Sequence, residues 1–161
     1  MIMENKFQPY SDPANLEAIR MMSREIILSV EPEEEIGAGE LINGLIEDYE
    51  DGLITPANTD AKTSGGFGTV DLVALVVVPL VVTVLKKFFE ELIGLGFEKF
   101  KEWLKKHQEK KRELSTRIDQ IVEEQYIVIS TQVKSEKSKS KEKIIKQTTK
   151  IVIKRKLGLP E

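Results

Sequence analysis

The chain has 161 residues, enough for one domain or for two small pieces joined by a linker. Hydrophobic residues make up 40% of it and charged residues 32%, which excludes a disordered protein. There is no cysteine, so disulfides and thiolate metal sites are excluded too. No apolar run precedes the first proline, which argues against a cleavable signal peptide and fits a cytoplasmic protein.

The net charge of −3 hides an asymmetry between the two halves of the chain. Residues 1–70 carry 14 acidic and 4 basic side chains, a balance of −10. Residues 71–161 carry 13 acidic and 20 basic side chains, a balance of +7. This polarity can steer a partner or a membrane surface, or it can attract the two halves to each other.

Residues 1–51 predict an acidic helical hairpin. Asp12 can cap a first helix that starts at Pro13, and the residue before Pro32 disfavours the α region and ends that helix. A second helix follows to residue 51, and its apolar positions recur at helical spacing. Residues 52–68 (GLITPANTDAKTSGGFG) lack periodicity and predict a flexible linker.

Leu72 to Leu85 is a run of 14 residues without a charge, apolar on every helical face, so it must be buried in protein or in lipid. As a helix it spans roughly 21 Å against a hydrocarbon core of about 30 Å. Counting from Phe67 gives 19 residues, long enough to span but with Asp71 near one end. A proline inside the run argues against a central strand. The residues predicted to face lipid are Leu72, Leu75, Val78, Pro79, Val82 and Leu85.

The stretch from Phe88 to Gln125 predicts a long amphipathic helix, which with the apolar helix forms a unit over residues 69–125. Aromatic residues alternate with lysines in its first half, a pattern typical of membrane interfaces. The aromatic residues assigned to the interface are Phe88, Phe89, Phe97, Phe100 and Trp103. The alternative is that the same face packs against the N-terminal helices.

Residues 126–161 predict a basic β-hairpin and tail. Two β-branched runs, Tyr126–Ile129 and Ile144–Ile153, flank the polar sequence KSEKSKSKEK. Between residues 134 and 156 there are 10 basic and 2 acidic residues, a balance of +8. The basic face of the second strand is formed by Lys146, Lys150 and Lys154, which can contact solvent or anionic lipid. Nucleic acid fits less well because Tyr126 is the lone aromatic residue available for stacking.

These elements together predict an α+β fold that is mainly helical. No residues combine into a nucleophilic triad, and His107, the single histidine, reads as a surface residue. Glu33 to Glu35 form a first helical turn more readily than a metal site. The sequence therefore predicts a non-enzymatic protein without a cofactor.

The segment from Val70 to Lys156 resembles the small effector-associated constant components of bacterial conflict and defence systems. The resemblance rests on a Gly-preceded apolar helix (GGFGTVDLVALVVVPLVVTVL), a charged helix (FEKFKEWLKKHQEKKRELSTRI) and two closing strands (QYIVIS and KIVIKRK). It implies a non-enzymatic adaptor or membrane-directed partner encoded beside a sensor or protease, and it implies no specific functional residue.

The leading functional hypothesis is a membrane-associated accessory or effector component on the cytoplasmic side, with the apolar helix inserted in the bilayer. Its expected partners are membrane lipid and a protein partner or further copies of the chain. One alternative is a soluble cytoplasmic protein–protein interaction module with the apolar helix as its core. Another is a nucleic-acid-binding accessory that uses the basic hairpin.

Overall fold

The computed structural model describes residues 13–35, 38–50, 72–92 and 95–161. Within these ranges the fold is all helical, with seven α-helices and no strand. The helices are α1 (Pro13–Val30), α2 (Ala38–Glu50), α3 (Ala74–Glu91), α4 (Phe97–Lys106), α5 (Lys111–Gln132), α6 (Glu136–Ser140) and α7 (Glu142–Leu157). Short 3-10 helices lie at Pro32–Glu35 and Gln108–Lys110. The cap predicted at Asp12 and the linker predicted at 52–68 fall outside the described residues.

The N-terminal helices pack onto the rest of the bundle. Helix α1 begins at Pro13, whose fixed φ suits a first helical turn, and it ends at Val30 ahead of Pro32. Its buried stripe includes Ile19, Ile26 and Ile27 and faces α3 and α7, while α2 packs against α1 and α3. The hydrophobic core is therefore shared between the acidic half and the basic half of the chain.

The apolar helix α3 is the centre of this core. All ten residues from Val73 to Val82 are buried, and the helix contacts α1, α2, α5 and α7. A helix that is apolar on every face needs neighbours on every side, and these four helices supply them. α3 continues through Pro79 and past the exposed Lys86 and Lys87 to Glu91.

The predicted C-terminal β-hairpin is wrong, and with it the α+β fold class. The single long amphipathic helix predicted from Phe88 to Gln125 is also wrong, because this stretch is divided among the end of α3, α4 and α5. The first β-branched run, Tyr126–Ile129, lies in the last turns of α5, and the second lies in α7. The intervening polar sequence contains the short helix α6, whose N-cap Ser135 accepts a hydrogen bond from the backbone N–H of Ser138 at 3.0 Å.

Tertiary burial overrides strand propensity in both segments. Val122, Tyr126 and Ile129 of α5 and its C-cap residue Val133 are buried at spacings of three and four residues. In α7, the residues Ile145, Thr149, Val152 and Ile153 repeat this pattern. β-Branched side chains lose little more than χ1 freedom in a helix, and burial against α3 and α1 outweighs that cost.

Candidate functional site

The residues predicted to face lipid lie in the interior of the protein. Leu75, Val78, Val82 and Leu85 are 0–2% exposed, Pro79 is buried, and Leu72 is partly buried against the same core. No helix in the described part of the chain combines the length and hydropathy that crossing a membrane requires. α3 therefore serves as a core helix in this structure, and lipid could reach it only if the bundle opened.

The aromatic residues predicted at the membrane interface also belong to the core. Phe88, Phe89, Phe97 and Phe100 are at most 5% exposed. Their rings meet edge to face, with centroids 5.2 to 5.7 Å apart, a geometry that stabilises aromatic pairs beyond simple burial. They join the end of α3 to α4, so a packing role replaces the predicted lipid contact in this structure.

Trp103 is the exception among these aromatic residues because it is only partly buried. Its ring is nearly parallel to that of Phe100, with centroids 5.9 Å apart, and to that of His107, with centroids 4.3 Å apart. Phe100 precedes Trp103 by one turn of α4 and His107 follows it by one turn, so the indole stacks with a ring from each neighbouring turn. His107 Nδ1 donates to the backbone oxygen of Trp103 at 2.8 Å, which holds the stack in place.

The three lysines predicted as a free basic face are paired with acidic residues of α5. On α7 they are spaced by four residues and so share one face of the helix. Lys146 and Lys150 bind the two oxygens of Glu123 at 3.0 and 2.7 Å, and Lys154 binds Asp119 at 2.8 Å. Hydrogen bonds from Lys150 and then Lys146 lower the pKa of Glu123, and the bond to Glu123 raises the pKa of Lys146. This lysine ladder holds α5 and α7 together.

A second group of ion pairs connects Glu31 and the following 3-10 helix, Pro32–Glu35, to the C-terminal part of the chain. Lys141 lies 3.2 Å from Glu31, and Lys137 lies 3.6 Å from Glu34. The Glu34 carboxylate also accepts hydrogen bonds from the backbone N–H groups of Val73 and Ala74, so it caps the start of α3. A hydrogen bond with Glu33, followed by one with Lys141, lowers the pKa of Glu31.

Cations without a carboxylate partner collect instead at the turn between α4 and α5. This basic end consists of Lys105, Lys106, Lys110, Lys111 and Arg112. None of the five forms an ion pair with another described residue, and all are exposed except Lys111, which is half-buried. The run KKHQEKKR carries five cations and one acid, which is the sequence signal for this basic site. The sequence alone favoured the lysines of α7 as the free basic surface because they are more numerous. Helix packing decides which lysines pair with carboxylates.

The outer face of α7 carries a seam without charge. Its residues, Ile144, Gln147, Thr148 and Ile151, are spaced by three and four residues and share one side of the helix. Ile144 is 51% exposed and Ile151 is 38% exposed. The spacing is the one by which one helix packs against another.

A cavity of about 440 Å³ lies between the end of α5, α6 and the start of α7, above Val76 of α3. Its wall includes the hydroxyls of Tyr126, Ser130 and Thr131, each of which donates its proton to a backbone carbonyl. Two lysines and two glutamates complete the charged part of the lining, so its formal charge is zero. The cavity thus lacks the concentrated charge that would select one class of ligand.

Acidic and histidine side chains do not gather into a potential metal site anywhere in the described ranges. His107, stacked on Trp103, has no carboxylate partner among the described residues. No family model, no curated protein and no solved structure matches this chain. Its function must therefore be inferred from its own surfaces.

Proposed function

We propose that the protein is a non-enzymatic helical interaction module that binds a partner helix along the outer seam of α7. The observation that carries this proposal is the exposure of Ile144 and Ile151 seven residues apart, with the uncharged Gln147 and Thr148 between them. Apolar anchors at this spacing recur where an amphipathic helix docks on another helical surface.

The rest of α7 is already committed within the molecule. One face packs in the core through Ile145, Val152 and Ile153, and a second face is fixed to α5 by the lysine ladder. The seam is therefore presented by a helix that cannot rotate to bury it. A rigid, preorganised surface loses less conformational entropy on binding than a flexible one.

The partner is a protein helix with apolar residues at the matching positions, on another protein or on a second copy of this chain. Fully burying an isoleucine contributes about 1.5–3 kcal/mol, so two half-exposed isoleucines support a weak complex unless the partner adds contacts around the seam. This fits the adaptor role that the resemblance to effector-associated constant components implies. The two closing strands of that resemblance are helical here.

Membrane insertion of the apolar helix is not part of this proposal. In the described bundle α3 is enclosed by α1, α2, α5 and α7, and exposing it to lipid would give up the packing of the core. The interaction-module hypothesis uses the same helix without that loss.

The seam is tested by pairing I144D/I151D with the matched control I127D/V128D. Ile127 and Val128 are also exposed, at 64% and 48%, but lie on α5. Each double variant adds two carboxylates at exposed apolar positions, so both should fold equally well. Circular dichroism should show the same helix content for both. Comparing the two double variants distinguishes loss of binding caused by changing the seam from loss caused by changing any exposed isoleucine or valine.

The variants are co-expressed with the proteins encoded by neighbouring genes, and association of the chain with itself is followed by sedimentation velocity. We expect I144D/I151D to abolish co-purification or self-association and I127D/V128D to retain it. Equal loss in both variants, retention in I144D/I151D, or a wild-type chain that stays monomeric and binds none of its neighbours would overturn the proposal.

A further inference from the structure

The basic end brings together five cations, none of which forms an ion pair with another described residue. Elsewhere in the described chain, five lysines between residues 137 and 154 pair with Glu31, Glu34, Asp119 or Glu123; they are Lys137, Lys141, Lys146, Lys150 and Lys154. Residues 105–112 carry five cations and one acid, a balance of +4 within a protein whose net charge is −3. Like charges this close repel one another and destabilise the folded state, so an anionic partner would reduce the electrostatic repulsion at this surface.

We infer that the basic end docks the protein peripherally on an anionic phospholipid surface, with Trp103 at the level of the lipid head groups. This goes beyond the partner helix at the α7 seam and does not depend on it. The contact is electrostatic and needs no inserted helix, because several lysines and arginines close together bind anionic head groups from the outside.

The position of Trp103 favours lipid as the anionic partner. Lys99, one turn before it, and Lys106, one turn after it, are both exposed on the same side of α4. Tryptophan flanked by lysines is typical of the membrane–water boundary, where the indole rests among the head groups and the ammonium groups reach phosphate. The buried phenylalanines behind Trp103 hold it to the bundle rather than leaving it free to move.

Single-stranded nucleic acid fits the same surface less well. Base recognition without sequence preference relies on aromatic rings with a free face. The Trp103 ring already stacks with Phe100 and with His107, and Tyr126 is 2% exposed. The cations lie on a turn between two helices at one end of the bundle. This arrangement suits the phosphates of a lipid surface, which can be bound in any lateral position.

The test uses the full chain with vesicles of phosphatidylcholine alone and of phosphatidylcholine mixed with phosphatidylglycerol. We expect the protein to co-sediment only with the mixed vesicles. It should be released from them when the salt concentration is raised well above the physiological level. Trp103 is the single tryptophan of the chain, so native fluorescence reports directly on this end of the molecule. Its emission should shift to shorter wavelength on binding.

The matched variants are K106Q/K110Q at the basic end and K139Q/K143Q, which changes one lysine of α6 and one in the first turn of α7. All four lysines are exposed and none forms an ion pair with another described residue. Each lysine near an anionic surface strengthens partitioning by roughly fivefold, so K106Q/K110Q should weaken binding about 25-fold. K139Q/K143Q removes the same net charge and should change binding by less than about twofold.

Four results would overturn the inference. They are failure of the wild-type chain to bind the mixed vesicles, equal weakening by both variants, binding without a change in Trp103 emission, and preferential binding of a single-stranded oligonucleotide that competes with the vesicles. Circular dichroism of each variant establishes that the substitutions leave the helices intact, as expected for exposed lysines.

Discussion

Glu34 joins the N-terminal helices to the central helix, and replacing it should destabilise the whole bundle. Its side chain is 6% exposed. It accepts hydrogen bonds from the backbone N–H of Val73 at 2.8 Å and of Ala74 at 3.3 Å, and Lys137 lies 3.6 Å away. A carboxylate at the first turn of a helix also interacts favourably with the helix dipole.

The expected magnitude follows from the groups that each substitution leaves unpaired. Val73 and Ala74 are 0% and 1% exposed, so E34A strands two buried N–H donors, each at a cost of about 1–3 kcal/mol. We expect E34A to lower the free energy of unfolding by about 3 kcal/mol. E34Q keeps an oxygen acceptor of the same shape but loses the charge, and we expect about 1 kcal/mol.

Urea denaturation followed by circular dichroism measures both variants, with E102Q as the control. Glu102 is exposed on α4 and forms no ion pair with another described residue, so its substitution should change stability by less than about 0.5 kcal/mol. Were E34A to cost as little as E102Q, the capping of α3 by Glu34 would not contribute to stability and the reasoning would be refuted.

V78D should unfold or aggregate the protein because Val78 is 0% exposed, whereas V128D at a 48% exposed site should leave the urea midpoint within error. D119A leaves the 5% exposed Lys154 without its carboxylate and should cost about 2–4 kcal/mol, while K154M should be near neutral; the reverse order in urea titrations would contradict this. Burial raises the pKa of Tyr126 to about 12, above its ordinary value of 10.0. Its contribution to stability is therefore complete below pH 10 and falls as pH rises from about 10 to 12, so Y126F should show a shallower alkaline loss than wild type in denaturant titrations at stepped pH.

The pattern of apolar residues was most informative where it allowed a single structural solution. Leu72 to Leu85 is apolar on every face, so its burial followed from sequence alone, and Pro79 separated helix from strand. The sequence of that run did not indicate whether lipid or protein surrounds it. The answer depended on whether other helices could cover all sides of the run, as α1, α2, α5 and α7 do.

The C-terminal segments show the opposite situation. Tyr126 to Ile129 and Ile144 to Ile153 have strong strand propensity, and alternation and helical spacing both fit such short runs. Propensity spans only about 1 kcal/mol per residue, which is less than the gain from burying one face of each segment against α3 and α1. The predicted hairpin failed because that packing surface cannot be read from local sequence.

The sequence by itself determined the two N-terminal helices α1 and α2, the buried nature of the apolar run and the presence of dense lysines. The tertiary structure alone decided which of those lysines are available to a partner. Lys146, Lys150 and Lys154 are neutralised because α5 brings Asp119 and Glu123 beside them, while residues 105–112 face solvent without a carboxylate from another described helix. The sequence determines which residues are charged, but their neutralisation depends on contacts of 2.7 to 3.0 Å between residues far apart in the chain, and folding sets those distances.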